Sequence, residues 1–244
     1  MLKDINSINT NSQIDIVESH GRNFIVVGFF TPDYYPLAEK LSENLNQFEI
    51  SHHLYACEKT PGEWGHQTLR KPDILKRARL DHPDKTLIFM DVDCSVRGDI
   101  VDMLAIQADI ALPMGRKPMK NGTALKPGTR VILIRPTTMS DRFLDLWDQK
   151  CRLDMRPVEN DEIRVQMAIE DSAGSFTFGI LPRAFTGIEI RKSEPSDVIV
   201  HDSARDEARF LGRLRKNLKG TFRLWRNLIF RKVFGREYKS VGEK

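Results

Sequence analysis

Two aspartates separated by one residue, Asp91 and Asp93, directly follow the apolar run TLIFM at 86–90. Side chains two residues apart at a strand end point to the same side, so the carboxylates would repel unless positive charge lay between them. A hard divalent cation, Mn²⁺ or Mg²⁺, takes such oxygen ligands and typically shares its coordination shell with substrate phosphates. The same spacing also occurs in helix caps and solvated loops, so the strand before it carries the prediction.

The elements around this pair alternate between strand and helix. Strands are predicted at 24–30, 48–55 and 86–90, with helices at 35–46 and 67–81 between them. This order predicts an α/β fold with a mostly parallel central sheet flanked by helices. In such sheets ligands bind beyond the carboxyl ends of the strands, where Asp91 and Asp93 lie.

The remaining chain is also mixed α/β, with no internal repeat. Residues 1–22 lack apolar periodicity and are predicted to be a flexible lead-in, and residues 115–128 are predicted to be a polar loop rich in Gly and Pro. Further helices are predicted at 100–107, 138–150 and 159–170, and further strands at 109–113, 130–134, 176–181, 186–190 and 197–201.

The net charge of +4 over 244 residues is unevenly distributed. Residues 211–244 contain eleven Lys or Arg and two Glu, a net charge of +9, which leaves −5 for the rest. Leu211, Leu214, Leu218, Phe222 and Trp225 begin an apolar stripe with helical spacing. This tail either lies on an anionic membrane surface or packs on the preceding domain. Nucleic-acid binding is not expected, because the body is acidic and has no reader motif.

The cysteine content and the lengths of the apolar stretches indicate the cellular compartment in which the protein works. Three cysteines are too few and too scattered for a disulfide framework or a zinc site, and no apolar stretch is long enough to span a membrane. The first residues show no apolar signal-peptide core. We therefore expect a cytoplasmic protein, peripheral on the cytoplasmic membrane face if the tail binds lipid.

A series of short motifs resembles the GT-A fold glycosyltransferases, and within them the glycogenin-like nucleotide-diphospho-sugar transferase group. The resemblance covers about residues 23–205. Each motif is weak alone, and their order along the chain carries the resemblance. The motifs are KPDIL at 71–75, LIFMDVDC at 87–94, RGDIVDML at 97–104, TRVILIRPT at 129–137, NDEIRVQMAI at 160–169, LPRAFTG at 181–187 and VIVHDS at 198–203.

The resemblance implies a transferase domain at 23–205, between the lead-in and a basic tail at 206–244. It implies metal-dependent transfer of a hexosyl group from a nucleotide-diphosphate donor, a UDP-sugar being favoured, with retention of configuration. The acceptor would be a glycan or, if the basic tail binds a membrane, a glycolipid such as one of lipopolysaccharide type. Metal ligands would be Asp91, Asp93 and His201, donor contacts Thr31, Tyr34, Lys71, Asp91 and Arg205, and catalytic carboxylates Asp161 and Glu162.

Departures from the family pattern and two other functions leave alternatives open. Glu162 stands where the glycogenin group has Gln, and the Gly and Lys-Pro-Trp that follow the late histidine there are absent. A haloacid dehalogenase-like phosphatase would use Asp91 as its nucleophile, although that motif normally ends the first strand of its fold. A non-catalytic membrane- or partner-binding module on a transferase fold is the other alternative.

Overall fold

The computed structural model describes residues 14–59, 67–119, 122–153, 161–172 and 174–202. Within these ranges the strands are β1 Ile16–Glu18, β2 Phe24–Phe30, β3 His52–Ala56, β4 Thr86–Met90, β5 Cys94–Val96, β6 Ile110–Leu112, β7 Met114–Met119, β8 Gly122–Pro127, β9 Val131–Ile134, β10 Phe178–Ile180, β11 Ile188–Glu189 and β12 Ile199–His201. The helices are α1 Tyr35–Gln47, α2 Lys71–Asp81, α3 Thr138–Cys151 and α4 Asp161–Asp171, and short 3₁₀ turns lie at Pro32–Tyr34, Val101–Ala105, Arg183–Phe185 and Ile190–Lys192.

The central sheet has the strand order β1-β3-β2-β4-β9-β6-β10. Strands β3, β2 and β4 are parallel neighbours, β9 runs antiparallel to both β4 and β6, and β10 is parallel to β6. Five strands therefore point in one direction, and β1 and β9 oppose them. The prediction of a mainly parallel α/β sheet flanked by helices is confirmed.

Both faces of this sheet are buried, as the continuous apolar runs of β2 and β4 predict. Alternate side chains enter opposite cores. Phe24 and Val26 pack with Ala38 and Leu41 of α1, whereas the next residue of β2, Ile25, packs with the helices on the other face. That second core also holds Leu75 of α2, Phe143 and Trp147 of α3, and Val165 of α4. Helices on both faces leave the strand ends as the open edge where a site can form.

A smaller sheet, β11-β12-β5, extends from the carboxyl end of β4. Three residues separate β4 from β5, and β5 pairs antiparallel with β12, which places His201 opposite Cys94. The backbone amide of Asp202 also donates to the carbonyl of Asp93 at 3.0 Å. This pairing brings a residue from the end of the domain next to the first acidic turn.

Several predicted elements differ from the structure. Residues 115–128, predicted to be a loop, form most of the β7–β8 hairpin, and part of the predicted flexible lead-in is strand β1, which pairs with β3. The predicted helix at 100–107 is the 3₁₀ turn Val101–Ala105. The strand predicted from residue 48 begins only at His52, because α1 ends through Glu49 with a positive φ of 52°.

The predicted basic tail at 206–244 and the predicted donor contact Arg205 lie outside the described residues. In the described part of the chain, every helix is too short or too polar to cross a bilayer.

Candidate active site

The two aspartates at the end of β4 face different partners. The amide of Cys94 donates to the carbonyl of Asp91 at 2.9 Å, closing a turn at Asp91–Cys94. A turn ends the strand alternation that would place the two carboxylates on one side. Asp91 therefore pairs with Lys71, and Asp93 lies against His201.

Asp93 and His201 form a close, mostly buried pair. The His201 Nε2 atom lies 3.3 Å from Asp93 Oδ2, and the two side chains are 8% and 18% exposed. Asp93 Oδ1 and His201 Nδ1 are both buried and have no hydrogen-bond partner in the structure. Buried polar atoms without partners are rare and costly, so this pair suits an additional ligand.

Lys71, the first residue of α2, is the centre of a second cluster. Its Nζ atom lies 2.9 Å from Asp91 Oδ1, 2.9 Å from Asp161 Oδ2 and 2.9 Å from the Thr129 carbonyl oxygen. The Thr129 hydroxyl also donates to Asp161 Oδ2 at 2.5 Å. Lys71 and Asp161 are each 4% exposed and Asp91 is 29% exposed. One ammonium group thus joins the end of β4 to the start of α4.

Electrostatics in this cluster favour a charged lysine. Burial alone lowers the pKa of Lys71, but Asp161 and Asp91 outweigh burial and hold its pKa above the ordinary value. For Asp91, burial is the largest effect and raises its pKa to about 6, with Lys71 opposing it and Asp93 and Asp161 adding to it. Lys71 therefore offsets the effect of burial on the pKa of Asp91 only in part.

The chemistry of Asp93 and His201 fits a divalent cation, because one carboxylate oxygen and one imidazole nitrogen are buried without partners. The predicted set of three ligands is not assembled, however. Among the described residues, no group of three or more His, Cys, Asp or Glu side chains is arranged to hold a metal ion. The structure brings Asp93 and His201 together and turns Asp91 toward Lys71.

A cleft of about 460 Å³ opens beside this site, lined by residues that follow β6 and β10 and precede β9. Its charged lining is mainly basic. Lys126 forms an ion pair with Glu162, and Arg183 lies 3.2 Å from Glu194 and 3.2 Å from Asp197. The remaining charged side chains at the cleft are Arg116 and Arg130.

The other predicted site residues lie in distinct places. Thr31 and Tyr34 follow β2, the strand next to β4. The Thr31 hydroxyl donates to Asp33 at 2.6 Å, and Tyr34 packs against the core. Asp161 is buried with Lys71, whereas the adjacent Glu162 is partly exposed and lines the cleft.

Thr129 is the site residue that sequence reasoning did not single out. Its buried hydroxyl and carbonyl both contact members of the Lys71 cluster. The sequence places it 58 residues from Lys71 and 32 from Asp161, so no local spacing connects them. The available signal was its position just before the apolar run of β9, which the antiparallel pairing sets beside Asp91: the Asp91 amide donates to the Arg130 carbonyl at 2.9 Å.

Comparison with solved structures identifies the fold. The chain is similar to a glycosyltransferase involved in the glycosylation of the major capsid of PBCV-1, with 13% identity, a TM-score of 0.57, and coverage of 75% of this chain and 95% of that one. The chain has a glycosyltransferase fold. This agrees with the fold that the GT-A resemblance implies.

Two further glycosyltransferases are more distant. GlyE of Streptococcus pneumoniae TIGR4 matches at 17% identity and a TM-score of 0.46, over 75% of this chain and 56% of that one. The bifunctional WbbM matches at 9% identity and a TM-score of 0.44, over 74% and 46%. The chain spans about half the length of these two proteins. No family model and no curated protein matches the sequence.

Proposed function

We propose that this chain is a glycosyltransferase that moves a sugar from a nucleotide-diphosphate donor to an acceptor hydroxyl with the help of Mn²⁺ or Mg²⁺. The observation that carries the proposal is the pair Asp93 and His201. Each has a buried, unpartnered polar atom, and the pair lies at the carboxyl end of β4 in a glycosyltransferase fold. Ligands of α/β sheets bind at that edge.

Asp93 and His201 would hold the cation, and Asp91, which is 29% exposed although Lys71 contacts both its oxygens, would become the third protein ligand only when the cation is bound. The chemistry that a bound cation supplies is electrostatic stabilisation of the diphosphate as the anomeric carbon–oxygen bond breaks. The nucleotide would lie over the residues after β2, where Thr31 and Tyr34 are found, and Arg205 is a further candidate for the diphosphate. A UDP-sugar and retention of configuration are the favoured forms of the reaction on the resemblance alone.

Lys71 and Asp161 would act as positioning residues. Both side chains are almost fully buried and have their polar atoms engaged with each other, with Asp91 and with Thr129. Because Lys71 holds one Asp91 oxygen at 2.9 Å, it fixes the orientation of that carboxylate at the site. Of the two predicted catalytic carboxylates, Asp161 and Glu162, only Glu162 lines the cleft, so it is the one that can approach a sugar or an acceptor.

The basic tail supports an acceptor at an anionic membrane surface, such as a glycolipid. Its net charge of +9 and its apolar stripe have the composition of an interfacial helix. In this proposal the transferase is cytoplasmic and peripheral on the membrane.

The test is hydrolysis of a panel of nucleotide-diphosphate sugars with and without Mn²⁺. We expect wild-type hydrolysis that requires the cation, and a loss of about 100-fold or more in Asp93→Asn, because metal stabilisation of a leaving group contributes several kcal/mol. Asp84→Asn, an exposed aspartate before β4, is the matched control and should retain activity. Activity of Asp93→Asn equal to that of the control would refute the metal role.

The same preparation distinguishes the alternatives. Cation-dependent release of inorganic phosphate from p-nitrophenyl phosphate, lost in Asp91→Asn and without any donor hydrolysis, would favour the phosphatase. Binding of a nucleotide sugar without any turnover, with or without acceptor, would favour a non-catalytic module.

A further inference from the structure

The basic cleft next to the site has two arginines whose charges are not balanced. The charged lining comprises Arg116, Lys126, Arg130 and Arg183 against Glu162. Lys126 and Arg183 have acidic partners. Among the described residues, Arg116 and Arg130 form no ion pair or side-chain hydrogen bond. Two unpaired guanidinium groups on one concave surface are suited to an anionic ligand, because each can bind phosphate or carboxylate through two parallel hydrogen bonds.

The cleft directly adjoins the candidate metal site. Gly187, which lines it, has a φ of 63°, and a Cβ at this residue would lie 3.6 Å from Arg130 Cβ and 3.6 Å from Cys94 Sγ. Cys94 follows Asp93 in sequence and is opposite His201 in register. The wall of the cleft at Arg130 therefore lies next to the segment that carries the residues that would hold the cation.

The cleft also lies on the side of β4 away from the expected nucleotide contacts. Strand β4 has β2 on one side and β9 on the other, and β9 is followed by β6 and β10. Thr31 and Tyr34, the expected nucleotide contacts, follow β2, whereas the cleft is lined by residues adjoining β9, β6 and β10. A donor bound across β2 and β4 would present its sugar toward the cleft, which leaves the cleft for the acceptor.

We propose that the acceptor is an acidic glycan, and that Arg116 and Arg130 bind its phosphate or carboxylate group in this cleft. This inference rests on the proposed glycosyl transfer, since it assigns the second substrate of the same site. Glu162, held at the cleft by Lys126, is then the group available to a sugar hydroxyl of that acceptor.

The experiment measures binding of glucose 6-phosphate, glucose and UDP to the full chain by isothermal titration calorimetry. Wild type should bind glucose 6-phosphate and not glucose. Arg116→Gln and Arg130→Gln should each weaken glucose 6-phosphate binding by about 10- to 100-fold, since hydrogen bonds to charged groups contribute about 1.5–3 kcal/mol. Arg142→Gln, an exposed arginine on α3 outside the cleft, is the matched control and should bind as wild type.

The UDP measurement distinguishes binding of the donor diphosphate from binding of an acceptor phosphate. UDP binding in the presence of Mn²⁺ should fall in Asp93→Asn and be unchanged in both cleft variants. If the cleft variants lose UDP binding instead, the arginines serve the donor and the proposal is wrong. Equal binding of glucose and glucose 6-phosphate, no binding of the latter to wild type, or an equal loss in Arg142→Gln would also overturn it.

Failure of the proposed function gives a different pattern. In that case wild type hydrolyses no nucleotide sugar, while binding of glucose 6-phosphate still depends on Arg116 and Arg130. If both proposals hold, wild type hydrolyses a nucleotide sugar, and the cleft variants show a raised KM for an acidic acceptor that Arg142→Gln does not show.

Discussion

Replacing Lys71 by methionine tests whether the buried ammonium group holds the site together. Methionine keeps an unbranched side chain of similar length and removes the charge that lies 2.9 Å from both Asp91 and Asp161. Two carboxylates would then face each other around a nearly dry position. We expect a large loss in the free energy of unfolding, together with loss of any activity that requires Asp91 to be held in place.

The magnitude follows from the distances and the burial. At 2.9 Å and an effective dielectric constant of about 20, the attraction between Lys71 and Asp161 is about 6 kcal/mol. Desolvation of the two charges in the folded protein offsets part of this attraction. The desolvation cost of Asp161 remains when the lysine is removed. The loss expected from removing one partner of a buried pair is therefore about 3–5 kcal/mol, a large share of the about 5–15 kcal/mol that stabilises a typical protein.

Urea unfolding at 25 °C, followed by tryptophan fluorescence, measures this loss, because Trp147 is fully buried in the core. Lys76→Met is the matched control on the same helix. Lys76 lies 2.8 Å from Asp145 but is 39% exposed, so its removal should cost about 0–1 kcal/mol. If Lys71→Met costs no more than Lys76→Met, the buried cluster does not stabilise the fold and the reasoning fails.

Two further predictions follow from the same structure and from the sequence of the tail. Thr129→Val removes the hydroxyl that donates to Asp161 at 2.5 Å and should lower the free energy of unfolding by about 1–3 kcal/mol in the urea assay, whereas Thr129→Ser should restore most of it. Equal losses in the two variants would show that the hydroxyl is not responsible. Deleting residues 211–244 should abolish sedimentation with phosphatidylserine vesicles at low salt, and undiminished sedimentation would exclude the tail as a membrane anchor.

The buried elements of the fold were predictable because buried strands and helix faces have apolar residues at regular spacing in the sequence. Strand β4 is buried at every position and spans 86–90 as predicted, and α1 shows the 3.6-residue period of a helix with one buried face. The β7–β8 hairpin was missed because the mostly polar sequence of its strands shows no alternation of apolar residues. The dipeptide Asn121-Gly122 is a hairpin signal in the sequence that the polar composition obscured.

The location of the site was predictable, but its pairings were not. A strand ending in Asp91 placed the acidic residues at the sheet edge, and the family resemblance supplied His201 and Lys71. Which carboxylate meets which partner depends on the turn closed between Asp91 and Cys94, and on the pairing of β12 with β5. Those contacts join residues up to about a hundred positions apart, and the two-residue spacing of the aspartates suggested a shared cation instead.

The pairings assign separate tasks to the residues that the sequence had grouped. Asp93 and His201 keep polar atoms free for a ligand, whereas Lys71, Asp161 and Thr129 direct their polar atoms toward one another. Asp91 belongs to both sets, since Lys71 contacts both of its oxygens, at 2.9 and 3.3 Å, while its side chain remains 29% exposed. A substitution of Asp161 should therefore shift Lys71, and through it the position of the Asp91 carboxylate. Asp161→Asn, which removes a charge that contacts no ligand, should alter cation affinity through the orientation of Asp91.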